Sequence, residues 1–329
     1  MEIMILGSGT WGTAVANMCA NNGHDITLWS FDPVQCAELA KTHTHPFLPG
    51  GTINNNITFT DDITLCANFE HVIIATPSFA IRETAKKFAP YIQPGTHIIN
   101  LSKGLEKDTL LRLSQVITQE LGGKDKCESN EISISALGGP SQAEEVFNDQ
   151  PTVVVVSNND INEAIHWQKT LNNPKFRVYV NNDMIGTEIC ACLKNVIALC
   201  AGIVDGLGYG DNTNAALITR GLAEISRLGI AMGAKFETFL GLAGMGDLIG
   251  TAMSVHSRNR TVGKMLGDGM SLEDALDKVG MVAEGVDACV TAVSLADKHS
   301  VELPISTEVY RILFEGKDAR QSVIELMCR

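Results

Sequence analysis

The residue most out of place in this 329-residue sequence is Lys194. It stands in the run 185–204, which is apolar around most of a helix's circumference and carries only one other charge, Glu188. A helix of that kind is normally buried. Burial lowers a lysine pKa until the group can give or take a proton near neutrality. The alternative is a lysine that snorkels from the edge of a buried helix, and the helix alone does not choose between the two. Thr187, seven residues earlier, shares the lysine's face, and Asn195 flanks it. Lys103 follows a short apolar run, 97–101, which places it at the C-terminal edge of a strand, where ligands bind in open α/β sheets. Asp247, in the glycine-rich stretch 241–246 and beyond, either orients a lysine or caps the next helix. Ser257, Arg258 and Asn259 make the one concentrated basic and polar cluster, suited to a phosphate or carboxylate or, as an isolated run, to a solvated helix face. Gly139 and Ser141 offer a second anion-binding turn, although Ser141 with Glu144 three residues on reads better locally as a helix cap.

A different chemistry is written at 7–12, GSGTWG. Gly7, Gly9 and Gly12 follow a strand pattern and open a helical one, with a second strand pattern inside the span a dinucleotide-binding unit requires. The first glycine permits the tight turn, the second lets the backbone approach a pyrophosphate, and the third lets helix and strand pack closely. The helix N-terminus then offers free N–H groups to phosphate. At the end of the second strand stand Phe31 and Asp32, with no basic residue before Lys41. Asp32 is equally a ribose contact and a cap for the helix after Pro33. The missing arginine clamp for a 2′-phosphate moderately favours NAD over NADP.

These groups need elements to hold them. Short apolar runs at 3–6, 26–29, 57–60, 71–76, 97–101, 132–137, 153–157 and 176–180 alternate with helical patterns at 10–22, 79–88, 109–121, 142–147 and 161–171, which predicts a largely parallel sheet covered on both faces. After 180 the texture is helical throughout. The expected fold is α/β, with an N-terminal Rossmann-type doubly wound domain over 1–182 and an all-α C-terminal substrate domain over 183–329. With 25 Lys+Arg against 38 Asp+Glu the net charge is −13, a poor surface for nucleic acid. The nine cysteines, odd in number and without a CxxC, predict reduced, mostly buried thiols in a cytoplasmic protein. The run 185–204, with two charges inside it, is not expected to be membrane-embedded. No metal-ligand spacing appears, and the only close histidine pair is His43 with His45, so no metal is expected.

Seven blocks carry a resemblance: GSGTWGTA at 7–14, LSKGL at 101–105, GPSQAE at 139–144, LKNV at 193–196, GDL at 246–248, SRN at 257–259 and VAEG at 282–285. Their order resembles that of the NAD(P)-dependent glycerol-3-phosphate dehydrogenases, from residue 3 to beyond 310, and the bacterial enzyme of phospholipid precursor synthesis in particular. The resemblance implies reversible hydride transfer between NAD(P)H and dihydroxyacetone phosphate, giving sn-glycerol 3-phosphate, in a cytoplasmic homodimer. It implies Lys194 as the acid/base, with Lys103 and Asp247 beside it. Lys103, Gly139, Ser141, Lys194, Asn195, Asp247, Ser257, Arg258 and Asn259 would contact substrate. Thr10, Trp11, Phe31, Lys103, Ala143, Arg258, Val282 and Glu284 would contact the cofactor, NAD or NADP. Phe31 stands where many bacterial members have the arginine that reads the NADP phosphate. Cys190 and Cys192 replace the usual small residues and are expected to pack. Gln142 replaces a common Phe.

Overall fold

The computed structural model describes residues 1–329. Its chain divides into two compact units, Met1–Ser102 with Leu113–Leu137 and Ser141–Met184, and Lys103–Arg112 with Gly138–Pro140 and Ile185–Arg329.

The first unit is built on eight strands, β1 (Glu2–Leu6), β2 (Asp25–Trp29), β3 (Thr58–Thr60), β4 (His71–Ile74), β5 (His97–Asn100), β6 (Ser133–Gly138), β7 (Thr152–Ser157) and β8 (Phe176–Asn181), in the sheet order β3-β2-β1-β4-β5-β6-β7-β8. β1 pairs in parallel with both β2 and β4, and β4 with β5. Strand order therefore reverses beside β1, the place where open parallel sheets bind ligands. The intervening helices are α1 (Thr10–Asn21), α2 (Pro33–Thr42), α3 (Ile81–Phe88), α4 (Leu113–Glu120), α5 (Lys124–Ser129), α6 (Ala143–Phe147) and α7 (Ile161–Leu171). The strands are near-continuous apolar runs because both faces are covered. Ile3, Ile5, Leu28, Ile73, Ile99, Val154 and Val178 are each 2% exposed or less, and Trp167 of α7 closes the same core.

The second unit is helical: α8 (Met184–Gly206), α9 (Asp211–Ala231), α10 (Phe236–Leu240), α11 (Asp247–Met253), α12 (Arg258–Gly267), α13 (Leu272–Val279), α14 (Glu284–His299), α15 (Pro304–Phe314) and α16 (Ala319–Met327). α8 is long and apolar enough to cross a membrane, but 89% of its most apolar stretch is buried inside the protein. It is the spine of this unit's core, with Leu193, Val196, Ile197 and Leu199 packed among Leu228, Phe239, Leu248 and Leu295. Cys190 and Cys192 are buried there too, and desolvation raises the Cys192 thiol far above its ordinary range.

α12 crosses α8 at backbone contact. A Cβ on Gly202 would fall 2.0 Å from the Arg260 carbonyl oxygen, and one on Gly263 would fall 1.9 Å from that of Leu199. Gly206 and Gly267, one turn further on each helix, face Lys264 and Ile203 in the same way. Only glycine lets two helices meet so closely.

Some expectations shift. The helix expected over 109–121 begins at Leu113, because Leu110 adopts a left-handed φ of 60° and Leu105 bridges Arg112 in an antiparallel pair. α2 and α5 are not foreshadowed by any strong apolar period. The single cut expected at 182/183 lies at 184/185, and the chain after β5 and around the end of β6 also belongs to the helical unit. The first of those two segments sends Leu105, 6% exposed, into the second core.

Candidate functional site

The dinucleotide signature lies where β1 gives way to α1. Gly7 has φ +119°, and a Cβ there would meet the backbone of Ala75 and Thr76 at 2.8–2.9 Å, just past the end of β4. A Cβ on Gly12 would sit 1.9 Å from the Gly7 carbonyl oxygen. Gly9 is the contrast, since nothing lies within 4 Å of its missing Cβ. α1 receives no side-chain cap from Gly9, so the N–H groups of its first turn, at Thr10 and Trp11, remain for an anion. An open cradle beside an uncapped helix start at the switch point fits a pyrophosphate.

Beyond β2, Phe31 is 73% exposed. Asp32 caps α2 by accepting from the Val34 N–H at 2.9 Å, so the capping half of its two readings is the one the fold displays. The Lys87 ammonium, at the end of α3, stands 4.4 Å from the centroid of the Phe31 ring. Fifty-six residues separate the two, too far for any local scan to join them. Ala143 opens α6 and is buried. The cap of that helix is Gln142, without a side-chain bond, so Ser141 lies one residue outside the capping position expected for it.

The polar cluster of the second unit is built around one carboxylate. Asp247 is the first residue of α11, presented by a wide helical turn at Leu242–Gly246 in which Gly244 passes too near Phe239 to carry a side chain. Its Oδ1 accepts from the Lys194 ammonium at 2.5 Å and its Oδ2 from Lys103 at 2.9 Å. Lys194 also donates to Thr251 Oγ1 at 2.7 Å, and Lys103 to the Gly139 carbonyl at 3.0 Å. The Lys194 side chain is 6% exposed and that of Asp247 1%. The lysine is buried with partners and does not snorkel. Thr251 escapes sequence reading, although its place four residues after Asp247 on a helix is the signal that could have found it.

Two ammonium groups share one buried carboxylate, so the cluster holds one positive charge too many. Desolvation, joined by the nearby Lys103 charge, pushes Lys194 down to about 7 against the opposing pull of Asp247. Burial alone would raise Asp247, but the two lysines outweigh it and hold the carboxyl below its ordinary value. The result is a buried ammonium, fixed at two points, that can give up a proton near neutral pH.

The basic cluster joins this centre through its neighbours. Ser257 caps α12, whose first residue is the exposed Arg258. Asn259 donates to Asn195 Oδ1 at 3.0 Å and accepts the Gly285 N–H at 2.9 Å. Asn195 is the residue after Lys194, and Gly285 follows Glu284 at the start of α14. Thus Lys103, Gly139, Lys194, Asn195, Asp247, Ser257, Arg258, Asn259 and the first turn of α14 are drawn to one region of the helical unit. The glycine-lined crossing of α8 and α12 makes that possible.

The family model for the NAD-dependent glycerol-3-phosphate dehydrogenase N-terminus matches residues 2–164, and the one for its C-terminus matches 183–324. The chain is 47% identical over 329 residues to the glycerol-3-phosphate dehydrogenase [NAD(P)+] 2 of Lactobacillus delbrueckii subsp. bulgaricus, covering 100% of this chain and 97% of the relative. It is 44% identical to the glycerol-3-phosphate dehydrogenase [NAD(P)+] of Clostridium acetobutylicum, covering 99% and 97%. The crystal structure of the Coxiella burnetii glycerol-3-phosphate dehydrogenase superposes with a TM-score of 0.94 at 37% identity, over 100% of this chain and 99% of that one.

Proposed function

The chain belongs to the NAD-dependent glycerol-3-phosphate dehydrogenase family, and we propose that it interconverts dihydroxyacetone phosphate and sn-glycerol 3-phosphate with NAD or NADP. The observation that carries the reading is the buried Lys194–Asp247–Lys103 cluster, tied through Asn195 and Asn259 to the cationic start of α12.

Gly7, Gly9, Gly12, Thr10 and Trp11 would hold the dinucleotide, with Phe31 and Ala143 as further contacts on the same unit. When bound, the reduced nicotinamide supplies the hydride. Arg258, with Ser257, Asn259 and the two N–H groups at the start of α12 that the Ser257 cap does not take, binds the substrate phosphate, since a guanidinium beside such N–H groups matches three phosphate oxygens. Anchoring that end positions the carbonyl over Lys194. As the carbonyl carbon gains hydride, Lys194 passes its proton to the carbonyl oxygen and becomes neutral. In the reverse direction neutral Lys194 takes the hydroxyl proton. Asp247 and Thr251 hold the ammonium in place, and Lys103 keeps the local charge positive where oxygen becomes negative.

The reaction supplies a precursor for glycerophospholipid synthesis in the cytoplasm, and the active form is a homodimer. Eight of the nine cysteines are buried thiols, which supports a reducing compartment.

The direct test is the initial rate of NADH oxidation, and separately of NADPH oxidation, with dihydroxyacetone phosphate. Fast oxidation is expected, with NADH moderately preferred. Failure of both, with cofactor binding intact, overturns the reading. Lys87 gives the same assay a second use, because a single ammonium beside Phe31 attracts a 2′-phosphate as a point charge without an arginine's fork. Lys87→Glu is expected to lower kcat/KM for NADPH by about tenfold while leaving NADH nearly unchanged.

Arg258→Ala removes a charge-assisted contact worth about 1.5–3 kcal/mol. The expected result is a KM for dihydroxyacetone phosphate raised roughly 10- to 100-fold, with kcat less affected and competitive inhibition by inorganic phosphate weakened in parallel. An unchanged KM would move the phosphate site elsewhere.

A further inference from the structure

The first unit gathers three histidines that the hydride-transfer reading does not use. His71 and His97 are the first residues of β4 and β5 and pair directly across the ladder. His166 reaches them from α7. One potential ligand atom from each lies within 4.8 Å of the others. The Nε2 atoms of His71 and His166 face each other at 3.0 Å. Glu163, one turn before His166, holds His97 Nδ1 at 2.7 Å, and Trp167 sets its edge against both His71 and His166.

We propose that His71, His97 and His166 form a binding site for a divalent first-row transition ion such as Zn2+, with Glu163 orienting His97 from behind. Imidazole nitrogens are the natural donors for such ions. Two nitrogens on one tetrahedral zinc, each about 2.0–2.1 Å from the metal, lie roughly 3.4 Å apart, close to the spacing of the facing Nε2 atoms. A carboxylate on Nδ1 leaves the Nε2 lone pair of His97 pointing outward, the arrangement that steadies zinc-bound histidines.

The three rings now lie stacked, with planes 11–19° apart. Ligation turns the outer two until the lone pairs converge. His97 is 27% exposed and Glu163 22%, which leaves a path for the ion and room for the turn. The site sits at the N-terminal edge of the strands, opposite the glycine turn. Its ion therefore clamps β4, β5 and α7 together and takes no part in the reaction.

The experiment titrates the full-length, chelator-treated protein with Zn2+ by calorimetry. The expected result is one saturable site per chain with a Kd of about 1 µM or tighter. It should weaken at least ~10-fold in His97→Gln and in His166→Gln, also about 10-fold in Glu163→Gln, and not at all in His299→Gln. Thermal unfolding should shift upward with Zn2+ in the wild type and not in the two histidine variants. No site tighter than about 1 mM, or a tight site equally present in both variants, overturns the proposal. Should the variants misfold by circular dichroism, Co2+ added to wild-type protein decides by NMR. The ring protons of His71, His97 and His166 must broaden before those of the other five histidines, and any other order overturns it.

Discussion

Lys194→Ala is expected to lower kcat for dihydroxyacetone phosphate reduction by about a thousandfold, within the range that a positioned acid contributes, while the NADH dissociation constant stays within about twofold. The substitution is a clean one to make. It leaves one lysine, Lys103, on one carboxylate, Asp247, so no buried charge is stranded and the fold should survive. Lys194→Met, which keeps the apolar stem, should behave alike. If turnover holds within a few-fold, Lys194 is not the acid.

The pH dependence sharpens the same expectation. Reduction needs the ammonium form, and desolvation has brought that group down to about 7. The kcat/KM for reduction should therefore fall as pH rises through about 7, and that for glycerol 3-phosphate oxidation should rise through the same window. Both inflections should vanish in Lys194→Ala.

The second large effect is on stability. Gly263→Ala puts a methyl group 1.9 Å from the Leu199 carbonyl oxygen. Alanine gains about 1 kcal/mol of helix propensity over glycine, so at an exposed site the change would stabilise. Here α12 must lift off α8, at a cost of about 3 kcal/mol. The net loss of roughly 2 kcal/mol should lower the thermal midpoint of a unit this size by about 4–8 °C. Lifting α12 also stretches the Asn259–Asn195 bond. Even below the midpoint the variant should therefore show a raised KM for substrate, measurable by initial rates, with NADH binding unchanged. A midpoint at or above wild type would show that the two helices have slack.

Much of this was legible from residue order. The glycine turn, the alternation of apolar runs with helical patterns and the solitary lysine in an apolar helix are all local signals. They place the sheet, the switch of texture after β8 and the candidate acid. Other features are products of folding. Asp247 left two readings open because its lysines come from 53 and 144 residues away. Lys87 reaches Phe31 only after α3 has packed, and the three histidines at 71, 97 and 166 show no ligand spacing along the chain. Ser141 carried a plausible capping signature that Gln142 fulfils by position alone. Periodicity sees one element at a time, and these contacts join elements.

The assignment of Lys103–Arg112 and Gly138–Pro140 to the helical unit has a consequence for how the protein is made. During synthesis these segments leave the ribosome long before α8 and the helices that follow. Leu105, and Leu110 packed beside the same core, must wait without their partners while the parallel sheet is already assembling. The first unit cannot finish as a self-sufficient module, and a chain truncated after β8 would keep an apolar loop with nowhere to go. A chain beginning at α8 would conversely lack Lys103, and its Asp247 would face Lys194 alone. The enzyme has two cores but one indivisible gene product.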